Sequence, residues 1–189
     1  MNADAISDLA LLLACAASAW WVGAGRAAWR GAMLLLGLAA GMGVLRYSGW
    51  ALALGPHRFF SLLAACVAFW LMAAALRWPQ EPLARQATAV GRVVVLLGGL
   101  GVAISLLGAG WWAQLVPGLS ALVLAWTMVQ RRSVPGLLGS AALVASFGVA
   151  ALAAADAELL GLFNKTQVLH YLLALAVLAF VPVGRAQSA

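Results

Sequence analysis

Charged residues are scarce in this sequence: Asp, Glu, Lys and Arg together make up 8% of its 189 residues, and only 5 residues are acidic. A soluble domain needs many more polar side chains to cover its surface, so this scarcity excludes a water-soluble fold. Cysteine is also scarce. Cys15 and Cys66 both fall in the middle of hydrophobic stretches, which indicates two small packing residues and excludes a disulfide-stabilised scaffold.

Hydrophobic residues, by contrast, make up 66% of the chain and give it a mean hydropathy of +1.03. They form runs of about twenty residues, the length that a helix needs to cross a hydrocarbon layer of about 30 Å. We therefore predict an all-α polytopic membrane protein in which residues 1–189 form a single domain, one bundle of seven transmembrane helices. The predicted helices are 6–25, 31–54, 57–77, 88–108, 111–129, 134–155 and 165–184.

The breaks between these helices are marked by turn residues or by charge. Gly55-Pro56 is predicted to separate the second helix from the third, because proline costs no hydrogen bond in the first turn of a helix. Gly108-Ala109-Gly110 is predicted to separate the fourth helix from the fifth. That break contains no charge, so a six-helix alternative stays open there.

The distribution of basic residues indicates how the helices are oriented. With seven helices, most arginines fall on one side of the membrane: Arg26, Arg30, Arg77, Arg85, Arg92, Arg131, Arg132 and Arg185. Basic residues are retained on the cytoplasmic side, so the N-terminus is predicted outside and the C-terminus in the cytoplasm. The formal charge of +6 therefore indicates membrane orientation, and we expect no nucleic-acid partner.

The composition also suggests where the protein resides. Arginine far outnumbers lysine, and alanine, leucine and glycine are abundant, as is typical of a GC-rich bacterial source. Asp4 and Asp8 stand where a signal peptide would carry basic residues, so no cleaved signal is expected. We predict a multi-pass protein of the bacterial inner (plasma) membrane.

Ionisable residues within a membrane span are candidates for function, because lipid does not tolerate them unless they are paired. In this sequence they gather toward the predicted outer half of the bundle, and the set is Asp8, Arg46, His57, Asp156, Glu158 and His170. This one-sided gathering predicts a polar pocket that opens toward the outer leaflet.

Several of these residues also have simpler interpretations. Asp8 can belong to a solvated N-terminus, which is the interpretation that we favour for it, and Asp156 and Glu158 can be solvated loop residues. Arg46 can reach the membrane surface or pair with Asp8 or Glu158.

Asn164 and Gln167 have the spacing of a helix N-cap and its reciprocal partner. Each histidine can be a hydrogen-bonded packing residue instead of a ligand.

The two histidines nevertheless suggest a metal site. A hydrolytic zinc ion takes three protein ligands and leaves one position for water. His57 and His170 would supply two ligands, and Asp8, Asp156 or Glu158 the third. Arg46 and Ser48, with Tyr47, could stabilise an oxyanion. These residues predict a zinc-dependent hydrolase whose substrate is a membrane lipid with an amide or ester bond.

Two short motifs resemble a known family. The chain resembles the alkaline ceramidase-like (CREST) superfamily of seven-helix membrane hydrolases, and above all its small bacterial members. The likeness lies in the seven helices, in the stretch His57-Arg58-Phe59-Phe60-Ser61, and in Phe163-Asn164 followed by His170. The resemblance implies zinc held by histidines, aided by a serine and an aspartate. It also implies a second histidine one turn from His170, whereas this chain has Thr166 and Ala174 at those positions.

The sequence also bears on other classes of membrane protein. A retinal protein needs a lysine in the middle of a helix, and Lys165 stands at a helix end. A haem held between His57 and His170 stays open as an alternative. So does a non-catalytic membrane protein with an outward-facing binding pocket or a role in assembly. The sequence predicts no oligomeric state.

Overall fold

The computed structural model describes residues 2–23, 25–152, 158–159 and 163–186. Within these residues, seven helical segments are long and apolar enough to cross a membrane. In chain order they are α1 (Ala3–Val22), α2 (Ala27–Tyr47), a third segment Ala51–Arg77 that contains α3 (Leu54–Arg77), a fourth segment Ala87–Leu106, α7 (Trp112–Gln130), α8 (Val134–Leu152) and α9 (Lys165–Ala186). The predicted number of long apolar helices is confirmed, and the six-helix alternative is wrong because the chain turns at Gly108, where φ is 101°.

The remaining elements are short. A four-residue helix, α4 (Pro82–Arg85), precedes the fourth segment, which consists of α5 (Ala87–Val93), a π-helical turn (Val94–Gly98) and α6 (Gly99–Leu106). The all-α prediction misses one small feature, because β1 (Glu158–Leu159) pairs antiparallel with β2 (Phe163–Asn164) just before α9.

Two helix boundaries differ from the predicted ones for identifiable reasons. Helix α1 begins at Ala3, not at residue 6, because the Asn2 side chain caps it by accepting a hydrogen bond from the Ala5 N–H at 2.9 Å. Helix α2 ends at Tyr47, not at residue 54, because Gly49 adopts a φ of 100° that few other residues tolerate. The predicted break at Gly55-Pro56 is therefore wrong, and Pro56 lies in the first turn of α3.

Six of the long segments form a closed ring. Each packs on the next in the order α2, α1, α9, α8, α7 and α3, and α3 packs on α2 again, while the fourth segment lies against the outside of α3. One end of the ring is filled by Trp29, whose indole N–H donates to Ser18 Oγ at 3.0 Å and whose ring packs edge-on against Phe180. The other end is less completely filled, and it contains the polar residues described below.

A set of hydrogen bonds joins the start of α1 to the start of α9. One carboxylate oxygen of Asp4 accepts hydrogen bonds from the side-chain amides of Asn164 and Gln167, both at 2.7 Å. Asn164 and Gln167 also bond reciprocally to each other's backbone N–H groups, so the predicted N-cap is confirmed. We call these three residues the terminal clasp. One helical turn further along, α1 and α9 carry Asp8 and His170, so the clasp sets the register in which these two residues meet.

We expect Asp4→Ala to lower the free energy of unfolding by about 1–3 kcal/mol, because two amide groups lose a charged acceptor. The measurement is the thermal unfolding midpoint of the detergent-solubilised protein, followed by circular dichroism. Asp4→Asn is the control, since it keeps an acceptor oxygen and should lose less. An Asp4→Ala variant as stable as the unmodified protein would show that the clasp contributes nothing.

Candidate functional site

A cavity of about 300 Å³ lies inside the helical ring. Most of its wall is apolar, with alanine, leucine, phenylalanine and proline side chains from all six ring helices. Five polar side chains also line it, and they are Asp8, His57, Ser61, Gln114 and His170. Three of the five belong to the predicted metal ligands, so the fold brings residues from α1, α3 and α9 to one place.

Asp8 and His170 form the closest charged contact at the cavity. His170 Nδ1 lies 3.3 Å from Asp8 Oδ1 and 3.2 Å from Ser7 Oγ. The Ser7 hydroxyl donates its hydrogen to the Asp4 carbonyl at 2.8 Å, so its oxygen accepts from His170. His170 Nδ1 therefore carries the proton, and Nε2 keeps a free lone pair. The interpretation of Asp8 as a solvated terminal residue is wrong, because Asp8 is 1% exposed.

His57 is held in the same tautomer by a different partner. Its Nδ1 lies 3.1 Å from the backbone carbonyl oxygen of Ala39, which can only accept, so Nδ1 donates. The imidazole also packs edge-on against the ring of Tyr47, with 5.9 Å between ring centroids. In the part of the chain that the structure describes, neither His57 Nε2 nor His170 Nε2 has a hydrogen-bond partner. Both histidines thus offer a lone pair at a nitrogen that no protein donor occupies.

The carboxylate of Asp8 is fitted against the backbone of α2. A Cβ atom built on Gly43 would overlap Oδ2, Cγ and Oδ1 of Asp8 at once, so only glycine leaves room for this carboxylate. Among the described residues, Asp8 Oδ2 is buried and has no hydrogen-bond partner. A buried carboxylate oxygen without a donor is costly, and such atoms are expected where a bound group or water completes the site.

The two residues predicted to stabilise an oxyanion lie away from the cavity wall. The Arg46 guanidinium stands over the ring of Tyr47, 4.6 Å from its centroid, and it does not line the cavity. Ser48 is exposed in the turn after α2. In the described part of the chain Arg46 forms no ion pair with Asp8, and its cationic group lies over the aromatic face of Tyr47 instead.

The other two predicted ligands cannot be placed. Asp156 lies outside the described residues, and for Glu158 the structure describes only the backbone, which pairs with Asn164. Within the described residues, no three His, Cys, Asp or Glu side chains form a group that could hold a metal ion. Asp8 Oδ1 lies 3.3 Å from the protonated Nδ1 of His170, on the opposite side of the ring from the free Nε2, so Asp8 is a neighbour of a histidine there and not a third ligand.

Two cavity residues were missed by the sequence reasoning. Ser61 lies four residues after His57 on α3, so both occupy the same helix face. This spacing is visible in the stretch His57-Arg58-Phe59-Phe60-Ser61 and could have identified Ser61 as a neighbour of the histidine. Gln114 lies in the first turn of α7. Because polar residues are common near helix ends, the sequence gives no sign that this amide faces a cavity. Its side chain contributes a donor and an acceptor opposite the histidines.

A second concave space lies next to the cavity, on the outer surface of the ring. A hollow of about 610 Å³ lies between α7 and α8, and both Gln114 and Phe147 line it as well as the cavity. Gly118 and Gly148 line the hollow from facing helices, and a Cβ on either would meet no atom within 4 Å. The hollow and the cavity therefore lie on two sides of the wall that Gln114 and Phe147 form.

Fold and cavity together define a seven-segment helical bundle with an internal, mostly apolar cavity and a carboxylate–histidine pair. No protein-family model, curated protein or solved structure matches the chain.

Proposed function

We propose that the chain crosses a bacterial inner membrane seven times, with the N-terminus outside and the C-terminus in the cytoplasm. The length and apolarity of the seven helical segments support this, as does the gathering of arginines at one end of the bundle. Asp8, His57, Gln114 and His170 lie in the first two turns of segments that would all begin on the outer side. In this orientation the cavity faces the outer leaflet.

In that setting the protein acts as a metal-dependent hydrolase of a membrane lipid that contains an amide or ester bond. The observation that carries this proposal is the pair of imidazoles that line one cavity, each with Nδ1 held by a protein acceptor and Nε2 free. Metal-binding histidines characteristically donate their second ring N–H to a carboxylate, a backbone carbonyl or water. His57 donates to the Ala39 carbonyl, and His170 donates to Ser7 Oγ beside the Asp8 carboxylate. The resemblance to the alkaline ceramidase-like superfamily agrees with this proposal.

The two histidines are suitable zinc ligands, and a third protein ligand is needed to complete the site. His57 and His170 supply two imidazole nitrogens, and the proposed third ligand is Asp156 or Glu158, on the segment that leads into α9. A zinc ion held there would lower the pKa of a bound water enough to make it nucleophilic at neutral pH. Ser7 keeps His170 in the required tautomer, and the Asp8 carboxylate lies beside its protonated Nδ1.

The rest of the cavity suits the substrate. Ser61 and Gln114 provide hydrogen-bond donors that can bind the carbonyl oxygen of the amide or ester, and the apolar wall excludes bulk water. An acyl chain can extend from the cavity into the hollow between α7 and α8, whose walls are apolar. A lipid held in this way would place its polar linkage, and not its chain, beside the histidines.

A second candidate is a non-catalytic protein that binds a lipid in the same cavity. The observation in its favour is that the described residues contain no group of three or more potential metal ligands. Under this proposal Asp8 and His170 would bind a polar headgroup through hydrogen bonds, without metal and without turnover.

Metal analysis combined with a hydrolysis assay separates the two candidates. The purified full chain should contain about one zinc ion per chain when supplied with zinc, as expected for a single hydrolytic site. A strong chelator should abolish release of fatty acid from amide- or ester-linked lipids in vesicles, and added zinc should restore it. Lipid binding without zinc or turnover would favour the non-catalytic candidate, and a haem absorption band would overturn both.

A further inference from the structure

A second concave surface runs along α1 and α2 from the level of the cavity to the opposite end of the bundle. It is a groove of about 710 Å³ between α1, α2 and the beginning of α5, and we call it the α1–α2 groove. Its lining consists of alanine, glycine, leucine, methionine, valine and cysteine side chains, together with one charged residue, Arg30. The groove is separate from the proposed catalytic cavity, with which it shares no lining residue.

Small residues explain why a groove exists here. Ala16 and Ala19 on α1 and Gly37 on α2 line it and leave space where larger side chains would fill the surface. Its end is closed where α2 meets α5, because a Cβ on Gly31 would lie only 2.8 Å from Val90 Cγ1. The result is an elongated apolar surface that runs along the helices and ends beside Arg30.

The charge at that end is uncompensated by acids. Arg30 is exposed, and within the described part of the chain no carboxylate lies within ion-pair distance of it. One turn earlier stands Arg26, which is 6% exposed. Burial, and after it the charges of Arg85 and Arg131, lower the pKa of Arg26 from its ordinary value. Several guanidinium groups therefore share this end of the bundle, and an anion there would relieve their mutual repulsion.

We propose that the α1–α2 groove binds an anionic phospholipid of the cytoplasmic leaflet, with one acyl chain along the groove and the phosphate on Arg30. Charge complementarity selects this occupant: a guanidinium binds phosphate through paired hydrogen bonds, and the apolar groove matches a hydrocarbon chain. A zwitterionic lipid would make the same chain contacts, but its ammonium group would be repelled by the neighbouring arginines. The site concerns lipid binding and is independent of hydrolysis in the cavity.

The test is lipid retention by the full chain, reconstituted in nanodiscs that contain phosphatidylglycerol and phosphatidylcholine and then released for native mass spectrometry. Arg30→Gln should reduce retained phosphatidylglycerol about fivefold, the worth of one arginine at an anionic lipid surface. Arg185→Gln is the matched control, since Arg185 is exposed near the end of α9 and does not line the groove. Ala16→Trp should also reduce retention, because the indole would occupy the space of the chain.

Equal retention of the two lipids by the unmodified protein would overturn the proposal. So would a loss in Arg185→Gln as large as that in Arg30→Gln, which would indicate general attraction to a basic surface. The proposal would also be overturned if both single variants, Arg30→Gln and Ala16→Trp, retained as much phosphatidylglycerol as the unmodified protein. None of these outcomes depends on zinc or hydrolysis, so the proposed function and this lipid site can fail separately.

Discussion

Replacement of Asp8 by asparagine is expected to lower zinc affinity and the rate of lipid hydrolysis by about 10–100-fold, the usual cost of losing a carboxylate that orients a metal-binding histidine. The side chain keeps its size, and the His170 N–H keeps Ser7 Oγ as its acceptor, so the protein should fold. What is lost is the negative charge that makes the imidazole a stronger ligand. Zinc affinity is measured by competition with a chromophoric chelator, and hydrolysis by fatty-acid release.

Asp4→Asn is the matched control for this prediction. Asp4 lies one turn earlier on α1 and does not line the cavity. Its replacement by asparagine removes the same charge from nearly the same place but keeps an acceptor oxygen for Asn164 and Gln167, so the register of α1 against α9 is kept. Zinc affinity in Asp4→Asn should stay close to that of the unmodified protein. If Asp8→Asn bound zinc no more weakly than Asp4→Asn, then Asp8 would have no role in orienting a metal ligand.

The positions of the helices could largely be predicted from the sequence, because each long helix coincides with a long apolar run. The seven segments are therefore visible as hydrophobic stretches separated by turn or charged residues. The boundaries were less accessible, because they depend on single residues such as Asn2 and Gly49 whose local conformation overrides the hydrophobic pattern.

The candidate site was accessible only in part. The histidines were identifiable because an imidazole is unusual in an apolar span, and the structure places both on one cavity. The role of Asp8 was not identifiable, since its burial comes from contact with α9, a helix more than a hundred residues away in the chain. The prediction of a role for Ser48 depends on a second helix that runs to residue 54, whereas α2 ends at Tyr47 and Ser48 lies in an exposed turn.

Arg46 illustrates a different limit. An arginine in an apolar segment needs a favourable partner, but a sequence does not reveal whether that partner is a carboxylate or an aromatic face. Here the adjacent Tyr47 provides the face, and Tyr47 in turn packs on His57. Arg46 thus contacts Tyr47, and Tyr47 contacts His57 edge-on, so Arg46 is linked to a cavity residue without lining the cavity itself.

The fit between Asp8 and Gly43 gives the sharpest test of this geometry. Gly43→Ala should destabilise the protein by about 1–3 kcal/mol, the usual cost of an added methyl group in a packed interior. It should also lower zinc affinity at least as much as Asp8→Asn, because a methyl group at this position must displace the carboxylate from His170. Thermal unfolding in detergent and chelator competition measure the two effects.

Gly41→Ala separates this local clash from a general intolerance of α2 to larger residues. Gly41 lies on the same helix and also faces α1, but a Cβ there would meet only Leu12 Cδ2 at 3.9 Å, an ordinary van der Waals contact. Its stability and zinc affinity should stay close to those of the unmodified protein, and alanine's higher helix propensity should partly offset any loss. Equal behaviour of the two variants would mean that the Asp8 carboxylate does not occupy the space beside Gly43, and the orientation of His170 by Asp8 would have to be abandoned with it.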